Sequence, residues 1–517
     1  MATPGEKLAV SLEELKKIQE KGIVAIKSSG LSQTHRERLL KNGFIKEVVK
    51  GWYIATAPAE QQGDSTSWYA SYWQFCAQYL AERYGDAYYI SPEQSLQIHA
   101  GSWTVPQQLI VRTQKGTNHK TPLPYGTSLW NWQAPPPENA AIVTVEGIRM
   151  MTLQSSLVYS TPTMFAGNEI DTRTCLAMIS DASEILLMLL NGGHTTIAGR
   201  LAGAFRNIGR EKIADDIVKA MQAAGYNVRE TDPFKTKPAI ALSAKERSPY
   251  VNRIKLMWYA MRDVVIKNFP QAPGLPADHE KYMKQVADLY ITDAYNSLSI
   301  ERYQVTPALI ERVRTGAWDS QENSEDKKQK DAMAARGYWQ ATQKVRESII
   351  KILNGANAGT AAEADHGDWY RELFAPSVTA GILPASDLAG YRNHAVFISN
   401  SMHVPVKNNA VRDAMPALME LIQNEPEAAV RAVLGHFMFV FIHPYMDGNG
   451  RMGRFLMNVM LASGGYPWTV IPVEERTTYM EALERASVHS DIEPFTKFLA
   501  YLVSEGVAGR PVAGVRE

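Results

Sequence analysis

The run from His443 to Arg454 reads His-Pro-Tyr-Met-Asp-Gly-Asn-Gly-Arg-Met-Gly-Arg, and it sets a base, a carboxylate, a glycine-rich bend and two guanidinium groups within twelve positions. Upstream, Val430, Val433, Leu434, Phe437, Val440 and Phe441 recur at helical spacing over Glu427–Ile442, with Pro426 suited to the first turn, so His443 falls at a helix end. Pro444 disfavours helix at the residue before it, and Gly448 and Gly450 permit a turn before a helical pattern resumes over Arg451–Ser463. Backbone N–H groups then emerge at a helix N-terminus, where the macrodipole and the missing side chains suit a phosphate. Arg451 and Arg454, three apart, share a face and can grip further phosphate oxygens. Asp447 is a hard oxygen ligand placed for a divalent cation on those phosphates. A Gly-Asn-Gly or a His-Pro alone is most often only a turn; the whole string carries the chemistry.

That string resembles the core motif of the Fic family, which runs His, Pro, an aromatic, any residue, an acid, Gly-Asn-Gly-Arg, two residues, Arg. Every fixed position is matched, with Tyr445 where Phe is usual. The resemblance implies a protein adenylyltransferase that moves AMP from ATP to a Tyr, Thr or Ser hydroxyl of a target protein. By position, His443 would be the general base for that hydroxyl, a task that suits an imidazole. Asp447 would hold Mg²⁺, and Gly448, Asn449, Gly450, Arg451 and Arg454 would bind the nucleotide, supplying mostly positioning and charge stabilisation. Family members that restrain themselves carry Ser or Thr, three residues, Glu, then Gly or Asn. Ser297 and Glu301 fit that pattern upstream of the motif, and Arg302 stands where Gly or Asn is expected. A carboxylate there would pair with Arg454 and repel the γ-phosphate. Alternation over Ala389–Ser399 suggests a short hairpin, where the family keeps a flap that docks a target segment by strand addition, with Val396, Phe397 and Ile398 as candidates. Tyr479 matches the first tyrosine of the family's adenine-pocket segment, and Met480 replaces the second. Relatives that use other phosphate-containing donors, or remove AMP with the inhibitory glutamate, leave alternative reactions on the same scaffold.

The elements that must position these residues occupy a long chain. Its 517 residues suggest about three units, and 45% hydrophobic content is ordinary for a globular protein. Lys plus Arg equals Asp plus Glu at 54 each, so bulk charge offers no attraction to nucleic acid or membrane. Two cysteines, Cys76 and Cys175, exclude a disulfide framework or a cysteine zinc site. No apolar run approaches a membrane span and the first residues lack a signal peptide's apolar segment, so a cytoplasmic protein without a membrane partner is expected.

Near the start, Ser11-Leu12-Glu13-Glu14 is a capping box for a helix to about Glu20. A second helix is expected over Ser32–Lys41, with Arg36, Arg38 and Lys41 outward and Leu39 and Leu40 inward, then a hairpin around Lys50-Gly51. This outline resembles the winged helix-turn-helix of AbiEi-type antitoxins, which implies DNA contacts from Arg36, Arg38, Lys41, Lys46 and Lys50. Glu37 and Glu47 dilute the charge, and a module for dimerisation or a protein partner is the plainer alternative. A DNA-binding regulator with a sensing Fic domain is therefore the second functional reading. An aromatic-rich α/β stretch follows, with a helix over Trp68–Tyr84, strands at Ala87–Ile90, Gln108–Thr113 and Ala141–Val145, a break at Pro135–Pro137, and helices at Asp181–Leu190 and Glu211–Ala224. Its His99 and His194 suggest no role. Asp278–Arg314 reads as helical, Asp319–Arg336 as a charged connector, Gly355–Gly367 as a soft stretch, and Arg510–Glu517 as a loose tail. The expected fold is mainly α: a Fic helical bundle with a β-hairpin flap, preceded by a winged helix and a mixed α/β domain. Boundaries fall at 1–58, 59–240, 241–340, 341–506 and 507–517. The target protein is not legible, and a homodimer is left open.

Overall fold

The computed structural model describes residues 3–58, 63–135, 139–238, 240, 242, 246, 248–316 and 329–515. The chain divides into two compact units, Met1–Arg253 with Phe397–Val404, and Ile254–Val396 with Pro405–Glu517.

In the first unit, α1 (Pro4–Glu20), β1 (Ile26–Lys27), α2 (Gln33–Lys41), β2 (Ile45–Val49) and β3 (Trp52–Ala55) build a three-stranded antiparallel sheet of order β1-β3-β2 with two helices against it. The expected capping box at Ser11 is not the one used. Thr3 caps the helix earlier, its hydroxyl accepting from the Glu6 N–H while the Glu6 carboxylate accepts from the Thr3 N–H. Ser11 becomes a buried mid-helix residue whose hydroxyl donates to the Lys7 carbonyl. Leu39 is fully buried as expected, but Leu40 is 37% exposed.

α3 (Thr66–Tyr84) buries Trp68, Tyr72, Phe75, Tyr79 and Leu80 at helical spacing. Their partners include Ile90, Leu109, Val111 and Leu129 from a four-stranded sheet. Its strands are β4 (Tyr89–Ile90), β5 (Gln108–Thr113), β6 (His119–Pro122) and β7 (Ser128–Gln133), in the order β4-β5-β7-β6 with β5 and β7 parallel; α4 (Pro92–His99) connects β4 to β5. The hairpin β8 (Ile142–Val145) and β9 (Ile148–Met151) leads into α5 (Leu153–Tyr159), α6 (Pro162–Gly167), α7 (Glu169–Met178), α8 (Ser183–Asn191), α9 (Thr195–Asn207) and α10 (Glu211–Ala223). Pro136 and Pro137 of the expected break lie outside the described residues.

The expected flap hairpin does not form: none of residues 389–399 is in a strand. From Phe397 to Val404 the chain belongs to the first unit instead. The Asn400 side-chain oxygen accepts from the Ser65 N–H at 2.8 Å, and the Met402 carbonyl accepts from the Val105 N–H at 2.8 Å. The Asn400 N–H also donates to the Thr66 hydroxyl at 3.1 Å, so backbone just beyond the expected hairpin is engaged within the first unit.

α11 (Pro249–Asn268) runs from the first unit into the second, whose regular elements are all helices among its described residues. It contains α12 (His279–Asp288), α13 (Tyr290–Ile300), α14 (Pro307–Thr315), α15 (Gln329–Leu353), α16 (Ala358–Thr379), α17 (Val411–Asn424), α18 (Ala428–Ile442), α19 (Asn449–Ala462), α20 (Arg476–His489) and α21 (Glu493–Val507). All of α18 except Arg431 and Val440 is buried, the mark of a helix packed on every side.

Three expectations change here. Residues 358–367 are helical, not soft: alanine is the best helix former, and the Asn357 side chain accepts from the Thr360 N–H at 3.0 Å to start α16. The connector lies outside the described residues up to Lys328, and from Gln329 onward it is already α15. The tail is not wholly loose, because the Gly514 carbonyl accepts from the buried Asn296 side chain at 2.9 Å.

Candidate active site

His443 follows the last turn of α18 in a left-handed conformation, φ 56° and ψ 61°. For a residue with a Cβ that backbone costs about 1–2 kcal/mol, so its surroundings must impose it. Its N–H donates to the Phe439 carbonyl at 3.0 Å, and its Nδ1 lies 3.0 Å from the Val440 carbonyl. A carbonyl only accepts, so Nδ1 carries the proton and the lone pair is left on Nε2. That is the tautomer a general base needs. Burial pushes the imidazole pKa down to about 4 against the Val440 hydrogen bond, with Arg392 lowering it further and Glu301 and Asp447 opposing. The ring is neutral at pH 7.

The bend after it is held internally. Asn449 Oδ1 accepts from the Tyr445 N–H and its Nδ2 donates to the Tyr445 carbonyl, both at 2.9 Å, so this residue, expected to bind nucleotide, is 2% exposed and braces the loop. Tyr445 stacks on Tyr370 with ring centroids 3.8 Å apart. Gly448 has φ 80°, and a Cβ there would lie 2.7 Å from the Phe374 ring, so both conformation and space demand glycine. α19 starts at the next residue. Asp447 accepts from the Gly448 N–H at 2.6 Å and keeps 67% of its side chain exposed, with its other oxygen 3.4 Å from Arg451. Arg451 is fully buried between the Tyr303 and Phe374 rings, 5.1 and 5.0 Å from their centroids.

Over this bend lies the end of α13. Glu301 Oε1 accepts from Arg454 Nη2 at 2.7 Å. The same oxygen is only 2.3 Å from where a Cβ on Gly450 would be. A carboxylate therefore occupies the space that the missing side chain opens at the start of α19. Burial raises the Glu301 pKa, but Arg454, then Arg451, outweigh it and hold the carboxyl below the usual range. Ser297 completes the clamp: its hydroxyl accepts from Arg454 Nε at 2.9 Å and its carbonyl from Nη2 at 3.0 Å. Arg454 Nη1, buried, has no hydrogen-bond partner among the described residues and lies 3.2 Å from that same Cβ position. Beneath Ser297, the Tyr338 hydroxyl donates to Asp293 at 2.7 Å, and burial raises that carboxyl to about 6.

Arg302 stands at φ 67°, which accounts for the small residue the inhibitory pattern expects there. Its side chain also faces the positive charge of Arg476. Arg302→Gly is thus expected to stabilise the fold by about 0.5–1 kcal/mol after the added freedom of the unfolded chain is deducted, read as a raised Tm. A lowered Tm would mean the arginine makes contacts that outweigh its strain.

Other expected residues are placed differently. Tyr479 is 1% exposed and its hydroxyl is 2.8 Å from His436 Nε2, so it braces α18 from α20 rather than facing an open surface. Val396 lies in the second unit, Phe397 and Ile398 in the first. Arg36 donates to the Ser28 carbonyl and Arg38 to the Lys7 carbonyl and the Ser11 hydroxyl, while Lys46 donates to the Tyr125 hydroxyl at 2.8 Å over its ring. Lys41 and Lys50 remain exposed. Sequence reasoning missed Arg392, whose guanidinium donates to the His443 carbonyl at 2.7 Å; nothing local in the sequence marks it, since the base lies 51 positions along the chain. Among the described residues no group of three or more His, Cys, Asp or Glu could cage a metal, and no single helix is long and apolar enough to cross a membrane.

The sequence pattern of the Fic/DOC family matches residues 366–461. The chain is 40% identical over 114 residues to a protein adenylyltransferase Fic of Nematostella vectensis, covering 21% of this chain and 26% of that one. It is 34% identical over 114 residues to that of Drosophila willistoni, covering 21% and 22%. The chain thus spans about a quarter of the length of these relatives. Among solved structures, Fic-1 of C. elegans aligns at 17% identity and a TM-score of 0.37, over 64% of this chain and 91% of that one. A Fic domain containing signalling protein of Bacteroides thetaiotaomicron aligns at 16% identity and a TM-score of 0.35, over 52% and 99%. Residues 366–461, with the base, the bend and Arg454 inside them, are a domain of the Fic/DOC family.

Proposed function

We propose that the chain transfers AMP from ATP to a hydroxyl side chain of a target protein, and that Glu301 restrains it. The observation that carries this reading is the Glu301 carboxylate at the vacant side of Gly450, 2.7 Å from Arg454. A place that attracts one anion from the chain itself is a place for another. A nucleotide phosphate would meet there the N–H groups at the start of α19 and the spare Nη1 of Arg454. His443 Nε2 takes the proton of the incoming hydroxyl, whose oxygen bonds to the α-phosphorus as the bond to pyrophosphate breaks. Asp447, a single exposed carboxylate, fits the way Mg²⁺ is usually held, by one or two protein oxygens plus phosphate; bound there, the ion would neutralise phosphate charge. The homologous proteins named adenylyltransferases support the choice of ATP.

The test is transfer of label from ATP. Label from the α-phosphate should become covalently attached to protein and label from the γ-phosphate should not; attachment of the γ-label would replace this reading with a kinase-like one.

For the first unit, the order helix, strand, helix, hairpin supports a winged-helix reading of residues 1–58, with DNA or a protein as partner. DNA contact would fall on Lys41 and Lys50, because Arg36, Arg38 and Lys46 are engaged within the protein. If DNA binds, Lys41→Glu with Lys50→Glu should weaken a gel shift by about tenfold or more at moderate salt. An unchanged shift would remove this face from consideration.

A further inference from the structure

Residues Ala395–Pro405 leave and re-enter the part of the sequence next to the base, and one side chain stands at both ends. Arg392 is 2% exposed. Its Nε donates to the His443 carbonyl at 2.7 Å and its Nη1 to the His394 carbonyl at 3.0 Å; its Nη2 donates to the Val406 carbonyl and, more weakly at 3.4 Å, to that of Ile442. Its own backbone N–H donates to the Pro444 carbonyl at 2.9 Å. The last carbonyls of a helix need outside donors, and a cation is the favoured one at that negative end. Here the cation satisfies the carbonyls of α18's final residue and of the base together with those at both stems of the loop. Among the described residues, every hydrogen bond that this guanidinium makes goes to a backbone oxygen.

We propose that Arg392 is a positioning residue, which locks His443 in its left-handed backbone and ties the base to the chain at His394 and Val406. The proposal rests on the AMP-transfer reading for its kinetic consequences and on geometry alone for its structural ones. Without the guanidinium, four carbonyls lose a donor and the left-handed His443 loses what offsets its strain. The imidazole would then wander relative to any bound hydroxyl, and a misplacement of about 1 Å can cost on the order of 100-fold. Charge matters as well as shape. The groups that act on the imidazole are Arg392, Glu301, Asp447 and the Val440 carbonyl, and Arg392 is the cation among them.

The experiment uses the full chain carrying Glu301→Gly, compared with the same chain carrying Arg392→Met or Arg392→Lys. For Arg392→Met, kcat is expected to fall about 10- to 100-fold with little change in KM for ATP, and the acid limb of the rate profile to move upward. Arg392→Lys keeps the charge but not the fork, so it should restore the acid limb and not the rate. NMR titration of the His443 ring, assigned by its loss in His443→Gln, reads the same shift without activity. If the Glu301→Gly parent transfers no AMP, the enzyme reading has failed, and the ring titration still decides whether Arg392 governs His443. A ring that titrates identically with Met at 392, or a rate profile unchanged in height and position, overturns the proposal. Both replacements are expected to lower Tm, and that alone would count only as loss of a buried cation.

Discussion

Glu301→Gly is expected to raise AMP transfer about 10- to 100-fold over the unaltered chain, within the roughly 5- to 150-fold span that a coupling of about 1–3 kcal/mol produces. The carboxylate is 2.7 Å from Arg454 Nη2 and stands over Gly450, so nucleotide phosphate and glutamate compete for the same donors. Removing the glutamate leaves Arg454, 3% exposed, without its counter-charge. Breaking a buried pair costs about 3–5 kcal/mol, but 32% of the Glu301 side chain is exposed, so the loss should be well below that. A lowered Tm without nucleotide should therefore accompany higher activity, and ATP with Mg²⁺ should raise Tm more in the variant than in the parent. Gly450→Ala separates eviction from vacancy. Its methyl would lie 2.3 Å from the Glu301 oxygen and displace it, yet would fill the phosphate's place, so transfer should stay low. Equal labelling by the parent and Glu301→Gly, with equal response of Tm to ATP, would show that the carboxylate is not in the nucleotide's way.

What the sequence disclosed and what it withheld follow the range of the interactions involved. α18, the turn at His443 and the start of α19 rest on helical periodicity, a proline and glycines close in sequence, and each is placed within two residues. The approach of Glu301 to Arg454 spans 153 positions, and only the likeness to a restrained family pointed to it. Arg392 had no such pointer, although its partners at His443 and Val406 are as constraining. Direction along an element was legible and direction of a long side chain was not. Arg36 and Arg38 lie on the expected helix but reach back to carbonyls of neighbouring elements, and Tyr479 turns to His436. The alternation near Val396 reads as strand, yet strand propensity describes a pleated neighbour that must exist, and here the residues that follow bond to Ser65, Thr66 and Val105 instead. At residues 358–367 Ala, Gly and Asp together suggest slack, whereas alanine behind an asparagine cap extends a helix.

His443→Ala, made with Glu301→Gly, is expected to cut transfer by about 10²- to 10⁴-fold while leaving ATP-dependent stabilisation in place, because the base is separate from the phosphate donors. The pH dependence supplies the sharper check. An ordinary imidazole, with a pKa of about 6.5, would leave only about a tenth of the enzyme active at pH 5.5. Burial has pushed His443 down to about 4, so kcat/KM in the Glu301→Gly chain should stay nearly level from pH 8 to 5.5 and fall only nearer 4. Stability works in the same direction and has to be followed alongside. His443 and His436, the latter pushed down to about 3, have folded-state values below that of the unfolded chain. Between about 6.5 and 4 the unfolded chain therefore binds more protons, so stability is full above about 6.5 and declines as pH falls through that window. Circular dichroism at each pH distinguishes unfolding from titration, and His443→Gln should soften the decline while abolishing transfer. A rate that halves near pH 6.5 in a fully folded chain would mean that the ring is solvated during turnover, and the half-buried ring held by the Val440 carbonyl would not be the working base.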